Sequence, residues 1–482
     1  MHKYIHILLS LIVALSIGSC TSEKPNIIFL LSDDQRSDTF GAAGNTSVKT
    51  PNLDQLAKEG ALFKNAFVTT SNSYSSRASI LTGQYASKNG VTDGINELSD
   101  QQFENTYPIQ LKKNGYQIAF IGKYGIGEST LKREKNAFDY FWGESGQPKY
   151  EHLTGTGETI QYTELLQQRA LEFLEGTSKN KPFCLSVSFI APSIEDDDFG
   201  QFTNPTKYAD VYKDDVLPAY QANRDDYDEK FPDFFKNPVD SIPNEARKIW
   251  ELRFSTPEKH QKTLKEYYHR VTAVDAVVGK LRKKLAEKGL SENTVIIYMS
   301  DNGLYLGEHG LAGKWYGHEP SIRVPLLVHD PRLKKSQRGK AYDQMALNID
   351  IAPTILKLAG IAPDVNMQGK SLTDIYKEES DTWRNQFYYE QRALLPNIPR
   401  SQGIRTEKYK YLYYLDAPFG YEELYDLEND PDETNNLAIN SVNKEVLKDL
   451  RNRVKKNYDT SMFKIFSPLP AAGGKHVIYK KQ

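Results

Sequence analysis

Several short segments of the chain gather side chains able to do chemistry, and most of them sit where an apolar run ends. The run Asn26-Ile-Ile-Phe-Leu-Leu31 stops at Ser32-Asp33-Asp34, and Val295 to Met299 stops at Ser300-Asp301-Asn302-Gly303. If they converge, Asp33, Asp34, Asp301 and Asn302 form an oxygen-rich cage suited to a hard divalent cation. The alternative is that these Asp and Asn residues only cap the helices that follow each strand. Two such ends, with Gly122-Lys123 closing a third run, weigh toward the metal. A fourth run, Phe183 to Phe189, leads into Ala191-Pro192-Ser193. Separately, Ser71-Asn-Ser-Tyr-Ser-Ser-Arg77 crowds hydroxyls ahead of an arginine and is followed by Thr82-Gly83. That pattern fits a nucleophile or anion site at a helix N-terminus, where backbone N–H groups and Arg77 favour negative charge. It fits a Ser-rich N-cap equally well.

The elements that must position these residues are a series of buried strands and the helices between them. The strand candidates are Asn26 to Leu31, Gln117 to Ile121, Phe183 to Phe189 and Val295 to Met299, with Pro325 to His329 a weaker one. Their unbroken apolar character predicts strands covered on both faces. Helical spacing appears at Asn52 to Gly60, at Thr159 to Glu175 and along Pro257 to Lys288, where Leu264, Tyr268, Val271, Val274, Val278, Leu281 and Leu285 form one stripe. Alternating strands and helices predict an α/β fold with a mostly parallel sheet. Residues 193–244, rich in Asp, Tyr, Phe and Pro, break the pattern and read as an irregular insertion that is a candidate for substrate recognition. Past Trp383, Gln386 to Glu390, Gly403 to Arg405 and Lys408 to Tyr413 look like antiparallel strands. A turn-rich stretch follows at Tyr425 to Asp432, and a last helix is expected over Val442 to Asn457. The expected division is therefore a signal at 1–19, a tether at 20–25, a catalytic domain at 26–383 and a C-terminal subdomain at 384–482.

At 482 residues, with 39% hydrophobic and 26% charged side chains and a net charge of −2, the chain has an ordinary globular composition. That balance argues against nucleic acid as a partner. The apolar run Ile7 to Ile17 is too short to span a bilayer and ends in Ile17-Gly18-Ser19-Cys20. This resembles a bacterial lipoprotein signal, with Cys20 the lipidated residue. Export to the periplasm or outer membrane is then expected, with the chain held at the membrane by its lipid anchor alone. The other cysteine, Cys184, lies in an apolar run and is expected to be a buried thiol.

Taken together, these segments resemble the type I sulfatases of the alkaline phosphatase superfamily, in their Ser-type bacterial form. The resemblance rests on Pro25 to Asp34, Thr50 to Ala57, Ser73-Tyr-Ser-Ser-Arg77 with Leu81-Thr-Gly83, and Gly122-Lys123. It continues through Ser300 to Gly303, Gly307-Glu-His-Gly310 with Lys314, Glu319 to Pro325 and Glu423 to Leu427. It implies a large alkaline-phosphatase-like domain, its sheet flanked by helices, and a smaller C-terminal α+β subdomain with an antiparallel sheet. It also implies hydrolysis of sulfate esters on a sulfated polysaccharide or its oligosaccharides. The family signature is Cys or Ser, any residue, Pro, any residue, Arg, which puts Ser73 in the nucleophile position. There the residue is oxidised to formylglycine, by a radical sulfatase-maturating enzyme in the Ser-type case, and one hydroxyl of the hydrated aldehyde attacks sulfur. By the same resemblance Asp33, Asp34, Asp301 and Asn302 bind one Ca2+ per chain together with the Ser73-derived group. Arg77 helps to ionise that group, and Lys123 and Lys314 contact sulfate oxygens.

The chain departs from the family pattern at three positions. Ser75 replaces the signature Pro, Gly125 stands where many members have His, and Ser193 stands where many have the His of Ala-Pro-His. Substitute acid–base groups are then expected from His309, His318 or the insertion, with Tyr124 a further candidate. The competing readings are a phosphoester hydrolase of the same superfamily using unmodified Ser73, and a catalytically weak glycan-binding homologue.

Overall fold

The computed structural model describes residues 24–459, apart from 128–129, 154, 156, 194–206, 221–243, 379–381, 394, 396–397, 417–420 and 440. The expected lipidation site at Cys20 lies outside the described residues, as do most of the expected insertion and the last part of the C-terminal subdomain.

The centre is an eight-stranded sheet. Its strands are β1 (Asn26–Asp33), β2 (Ala61–Phe63), β3 (Gln117–Lys123), β4 (Tyr140–Glu144), β5 (Phe183–Pro192), β6 (Thr294–Ser300), β7 (Leu326–His329) and β8 (Lys340–Tyr342). The spatial order is β8-β2-β7-β6-β1-β5-β3-β4. From β6 to β4 every neighbouring pair is parallel. The weaker strand expectation, β7, runs antiparallel to both β6 and β2.

The unbroken apolar runs are explained by burial on both faces. Ile27, Phe29 and Leu31 of β1 share one core with Phe120, Val295 and Ile297. Ile28 and Leu30 face a second core with Ile121, Leu185, Val187, Ile296 and Tyr298. The helices α1 (Pro51–Glu59), α3 (Tyr162–Glu175) and α4 (Pro257–Glu287) cover that second face, and α2 (Ser73–Thr82) lies on the first. α3 buries Tyr162, Leu166, Ala170 and Phe173, and α4 buries Val274, Val278, Leu281 and Leu285. Each fully buried large side chain contributes about 1.5–3 kcal/mol. α3 starts at Tyr162 rather than at Thr159, because Thr159–Gln161 pairs as a short strand with Glu151–Leu153. The β-branched pair Thr159-Ile160 suits that extended form.

A second, four-stranded antiparallel sheet follows, formed by β9 (Gln386–Gln391), β10 (Ser401–Thr406), β11 (Tyr409–Tyr414) and β12 (Glu422–Asp426). Its alternation splits it between two cores. Ile404, Tyr411 and Leu424 pack with Leu447, Leu450 and Val454 of α5 (Lys444–Asp459). Phe387, Tyr389, Leu412 and Tyr414 join the core of the main sheet. β12 was hidden in the sequence because its acidic residues break the apolar signal; Glu423 is fully buried. Of the aromatic residues expected in the insertion, Tyr212 is buried in a core with Tyr268 and Trp250, which makes it a packing residue.

Candidate active site

Parallel strands bring their carboxyl ends to one edge of the sheet, and that is where ligands bind in open α/β folds. β1 ends in Asp33, β3 in Lys123, β5 leads into Ser193 and β6 into Asp301 and Asn302. α2 points its N-terminus at the same place. Asn72 caps it by accepting the Tyr74 N–H, which leaves Ser73 as the first helical residue and Arg77 one turn further on. Ser75 falls in the first turn, where Pro and Ser are both tolerated because the amide has no intrahelical partner.

The chain brings the expected residues together. Ser73 Oγ lies 3.2 Å from Asp33 Oδ1 and 3.3 Å from Asn302 Oδ1, and it accepts from Lys314 Nζ at 2.9 Å. Lys314 also donates to Asp34 Oδ1 at 2.5 Å, and Lys123 Nζ to Asp33 Oδ2 at 2.5 Å. Arg77 Nε donates to Asp301 Oδ2 at 2.9 Å, and its Nη1 to the Lys123 carbonyl at 2.9 Å. Arg77 Nη2 is buried and has no hydrogen-bond partner among the described residues; Asp33 Oδ2 is 3.7 Å away.

The backbone beneath the cluster is constrained. Asp34 has φ +63, a left-handed conformation that Asp tolerates better than most residues. It is held there by its N–H to Asp301 Oδ1 (3.1 Å) and by the Tyr267 hydroxyl on its carbonyl (2.7 Å). On the opposite wall Trp315, next to Lys314, has φ +86, and Tyr389 donates to its carbonyl at 2.8 Å. A large residue at positive φ is strained and persists only where its surroundings over-determine it.

Three buried carboxylates face three cations. Burial works to raise the Asp33 carboxyl, but Lys123, Arg77 and Lys314 outweigh it and hold the group well below its ordinary range. Asp301 is pushed up to about 6 by burial and by the charge of Asp33, despite Arg77. Burial, together with Arg77 and Lys314, lowers the Lys123 ammonium against the pull of Asp33. A divalent cation among the carboxylates would remove the repulsion that raises Asp301. The donor set fits such an ion: Asp33, Asp34 and Asp301 each offer an oxygen, all within 4.8 Å of one another, and the Asn302 amide oxygen adjoins Ser73. All-oxygen, carboxylate-rich ligation is what Ca2+ takes.

The histidines expected to substitute for the missing pair are placed differently. His309 stacks on His318 with ring centroids 4.4 Å apart and planes 13° from parallel. His318 Nδ1 lies 2.6 Å from the Tyr305 hydroxyl and its Nε2 3.0 Å from Glu423 of β12. Both imidazoles are buried at the seam with the second sheet, and burial, then His318 and Lys410, drives His309 well below the usual imidazole range. A neutral, enclosed ring is a poor proton donor, so this placement favours packing over direct catalysis for His309. Tyr124 is turned into the core beside Phe120 and Phe141, and burial raises its hydroxyl far above the ordinary phenol range. Gly125 has φ +62, and a Cβ there would come within 2.9 Å of Arg77 Cδ, so the backbone approaches the arginine where a histidine would need room.

Ser188 escapes the sequence reading, and Ser193 shows there only as a missing histidine, with no contact of its own. Ser188 takes a short hydrogen bond from Arg77 Nη1 and donates to the Lys123 carbonyl at 2.7 Å. Its signal was Ser186 and Ser188 alternating within an otherwise apolar strand. Ser193 donates to Asp34 Oδ2 at 2.7 Å.

Comparison with known proteins agrees with this geometry. The model of the family described as sulfatase matches residues 25–361, and that described as N-sulphoglucosamine sulphohydrolase, C-terminal, matches 307–460. An N-acetylglucosamine-6-O-sulfatase of Bacteroides thetaiotaomicron is 30% identical over 88% of this chain and 86% of its own. An arylsulfatase of Clostridium perfringens is 30% identical over 89% and 93%. Among solved structures, a protein bound to its substrate D-glucosamine-2-N,6-O-disulfate superimposes with TM-score 0.75 and 27% identity over 92% of this chain and 99% of that one. A phosphonate monoester hydrolase of Agrobacterium radiobacter shares the fold at TM-score 0.72 and 22% identity, over 90% and 95%. With the family model covering most of its length and the cluster assembled as its motifs require, the chain belongs to the sulfatase family of sulfuric ester hydrolases.

Proposed function

We propose that the protein removes O-sulfate from a sulfated polysaccharide or its oligosaccharides, with a Ser73-derived formylglycine as nucleophile and one Ca2+. The observation that carries this reading is the placement of Ser73 Oγ, 3.2 Å from Asp33 and 2.9 Å from Lys314, in a cluster of buried carboxylates and cations. Asp33, Asp34, Asp301 and Asn302 would hold the metal, which when bound supplies Lewis-acid polarisation of a sulfate oxygen and of the nucleophile. Formylglycine, once formed and hydrated to a geminal diol, would supply one hydroxyl to take the sulfuryl group and a second whose deprotonation re-forms the aldehyde and expels sulfate.

The remaining roles belong to the chain itself. Lys123 and Lys314, both largely buried, would hold positive charge where negative charge develops on the sulfate oxygens. Arg77 keeps the nucleophile end of α2 fixed through Asp301 and the Lys123 carbonyl. Its buried Nη2 retains donors for an anion. Lys314 Nζ, at hydrogen-bond distance from Ser73 Oγ, also holds the nucleophile oxygen in place. His309 is assigned to packing at the seam.

The B. thetaiotaomicron relative and the structural neighbour bound to a sulfated glucosamine support an amino-sugar sulfate as the first substrate to try. Incubation of the matured enzyme with 6-O-sulfated N-acetylglucosamine and with sulfated oligosaccharides, read by ion chromatography, is expected to release free sulfate. Release of phosphate from phosphoesters with none of sulfate would contradict the reading. We further propose a lipid anchor at Cys20; a Cys20→Ala variant should leave the membrane fraction, and one that stays there would refute the anchor.

A further inference from the structure

We propose that Ser193 is a positioning residue for the metal-binding carboxylate of Asp34, an inference that rests on the function proposed above. By the family resemblance this position would carry a histidine, and the serine looks like a simple loss. Its surroundings show a built contact instead. Ser193 is 5% exposed, and its hydroxyl donates to Asp34 Oδ2 at 2.7 Å. The other oxygen, Asp34 Oδ1, faces Lys314 at 2.5 Å and also takes a short bond from the Asn302 amide. The two carboxylate oxygens of Asp34 are thus held from opposite sides, one by the nucleophile-side lysine and one by Ser193.

The serine is itself fixed. Its carbonyl accepts from the Tyr150 hydroxyl at 2.5 Å and from Arg270 Nη1 at 3.1 Å. The Tyr150 hydroxyl also lies 3.1 Å from the Ile190 carbonyl, and the Arg270 guanidinium sits 4.1 Å from the Tyr150 ring centroid. Tyr150 and Arg270 are 1% and 2% exposed. These contacts fix the backbone at position 193 and with it the place from which the serine hydroxyl reaches Asp34. Asp34 follows β1 at positive φ, and its carboxylate is held there by Ser193 on one oxygen and Lys314 on the other. Outer partners that orient a metal-binding carboxylate typically govern metal affinity by about 10–100-fold.

The test is Ca2+ affinity, by calorimetry on EDTA-stripped protein, for wild type, Ser193→Ala and Ser193→Thr. Ser193→Ala is expected to bind Ca2+ at least about 10-fold more weakly. Its melting temperature without metal should stay near that of wild type, and its turnover should recover as Ca2+ is raised. Ser193→Thr, which keeps the hydroxyl, should restore affinity. If Ser193→Ala does not fold, Tyr150→Phe, which frees the serine carbonyl from one of its two donors, is expected to weaken Ca2+ binding in the same direction. Wild-type affinity in a folded Ser193→Ala, or in Tyr150→Phe where it stands in, would overturn the proposal. A wild-type protein that binds no Ca2+ would instead overturn the metal assignment on which it rests.

Discussion

Within the cluster, each charged side chain is buried only because another compensates it. Asp33 keeps its charge through Lys123, Arg77 and Lys314, and Asp301, facing Asp33 across the site, does so less completely. Lys314 touches both Asp34 and Ser73, so its removal subtracts a transition-state donor along with a counter-charge. Lys314→Ala is expected to lower kcat by about 10²–10³-fold, the usual cost of losing one preorganised donor. Steady-state kinetics of sulfate release at saturating Ca2+ checks this, and an unchanged kcat would exclude Lys314 from the chemistry. At this scale the sequence was legible where charge ends an apolar run, as at Asp33-Asp34 and Asp301-Asn302. It was opaque for Ser188 and Ser193, because a serine's role depends on which partner the fold brings within 3 Å or so of its hydroxyl. For His309, a family motif says that a residue is needed, without saying whether for packing or for proton transfer.

The elements that carry the cluster are positioned by polar contacts as well as by apolar stripes. Asp275 of α4 reaches the first turn of α1, where its carboxylate accepts from the N–H groups of Asn52 (3.0 Å) and Leu53 (2.7 Å) and from the Asn52 amide (2.7 Å). Asp275→Ala strands these buried donors and is expected to cost about 1–3 kcal/mol in urea unfolding. Burial pushes the Asp275 carboxyl from 3.8 up to about 6, against the lowering effect of those bonds. A raised folded-state value means that the folded protein binds this proton more tightly than the unfolded chain does. The contribution is therefore complete below pH 3.8 and disappears as pH rises through about 6. Subtracting the stability profile of Asp275→Asn from that of wild type should leave a difference that falls with pH across this window. A flat difference would show that Asp275 titrates normally. Buried strands and long helices were readable here from apolar runs and stripes. The polar cap between two helices far apart in sequence was not, because nothing in either segment names its partner.

Across the whole molecule, the second sheet is joined to the main lobe by a buried ionic seam. Lys410 of β11, fully buried, lies 2.8 Å from Glu319 and 2.7 Å from Glu433, and Glu433 accepts from the Glu319 N–H at 2.6 Å. Beside it stand the His309–His318 stack and Glu423. Lys410→Met leaves the buried Glu433 and the partly buried Glu319 without their shared cation and is expected to cost about 3–5 kcal/mol. A drop in the thermal midpoint checks it, and an unchanged midpoint would mean that the seam adds nothing to stability. The antiparallel character of this lobe was visible in its alternating tyrosines. Its fourth strand was not, since Glu422 and Glu423 look like surface residues until His318 and Tyr414 are seen to accompany Glu423 in the interior.

All of these scales meet at Ser73. The most direct test is the mass of the peptide containing it, from protein co-expressed with a radical sulfatase-maturating enzyme and active against a sulfated sugar. The account predicts a peptide lighter by two hydrogens, the signature of serine converted to formylglycine despite Ser75. An unmodified serine in protein that still releases sulfate at full rate would contradict it.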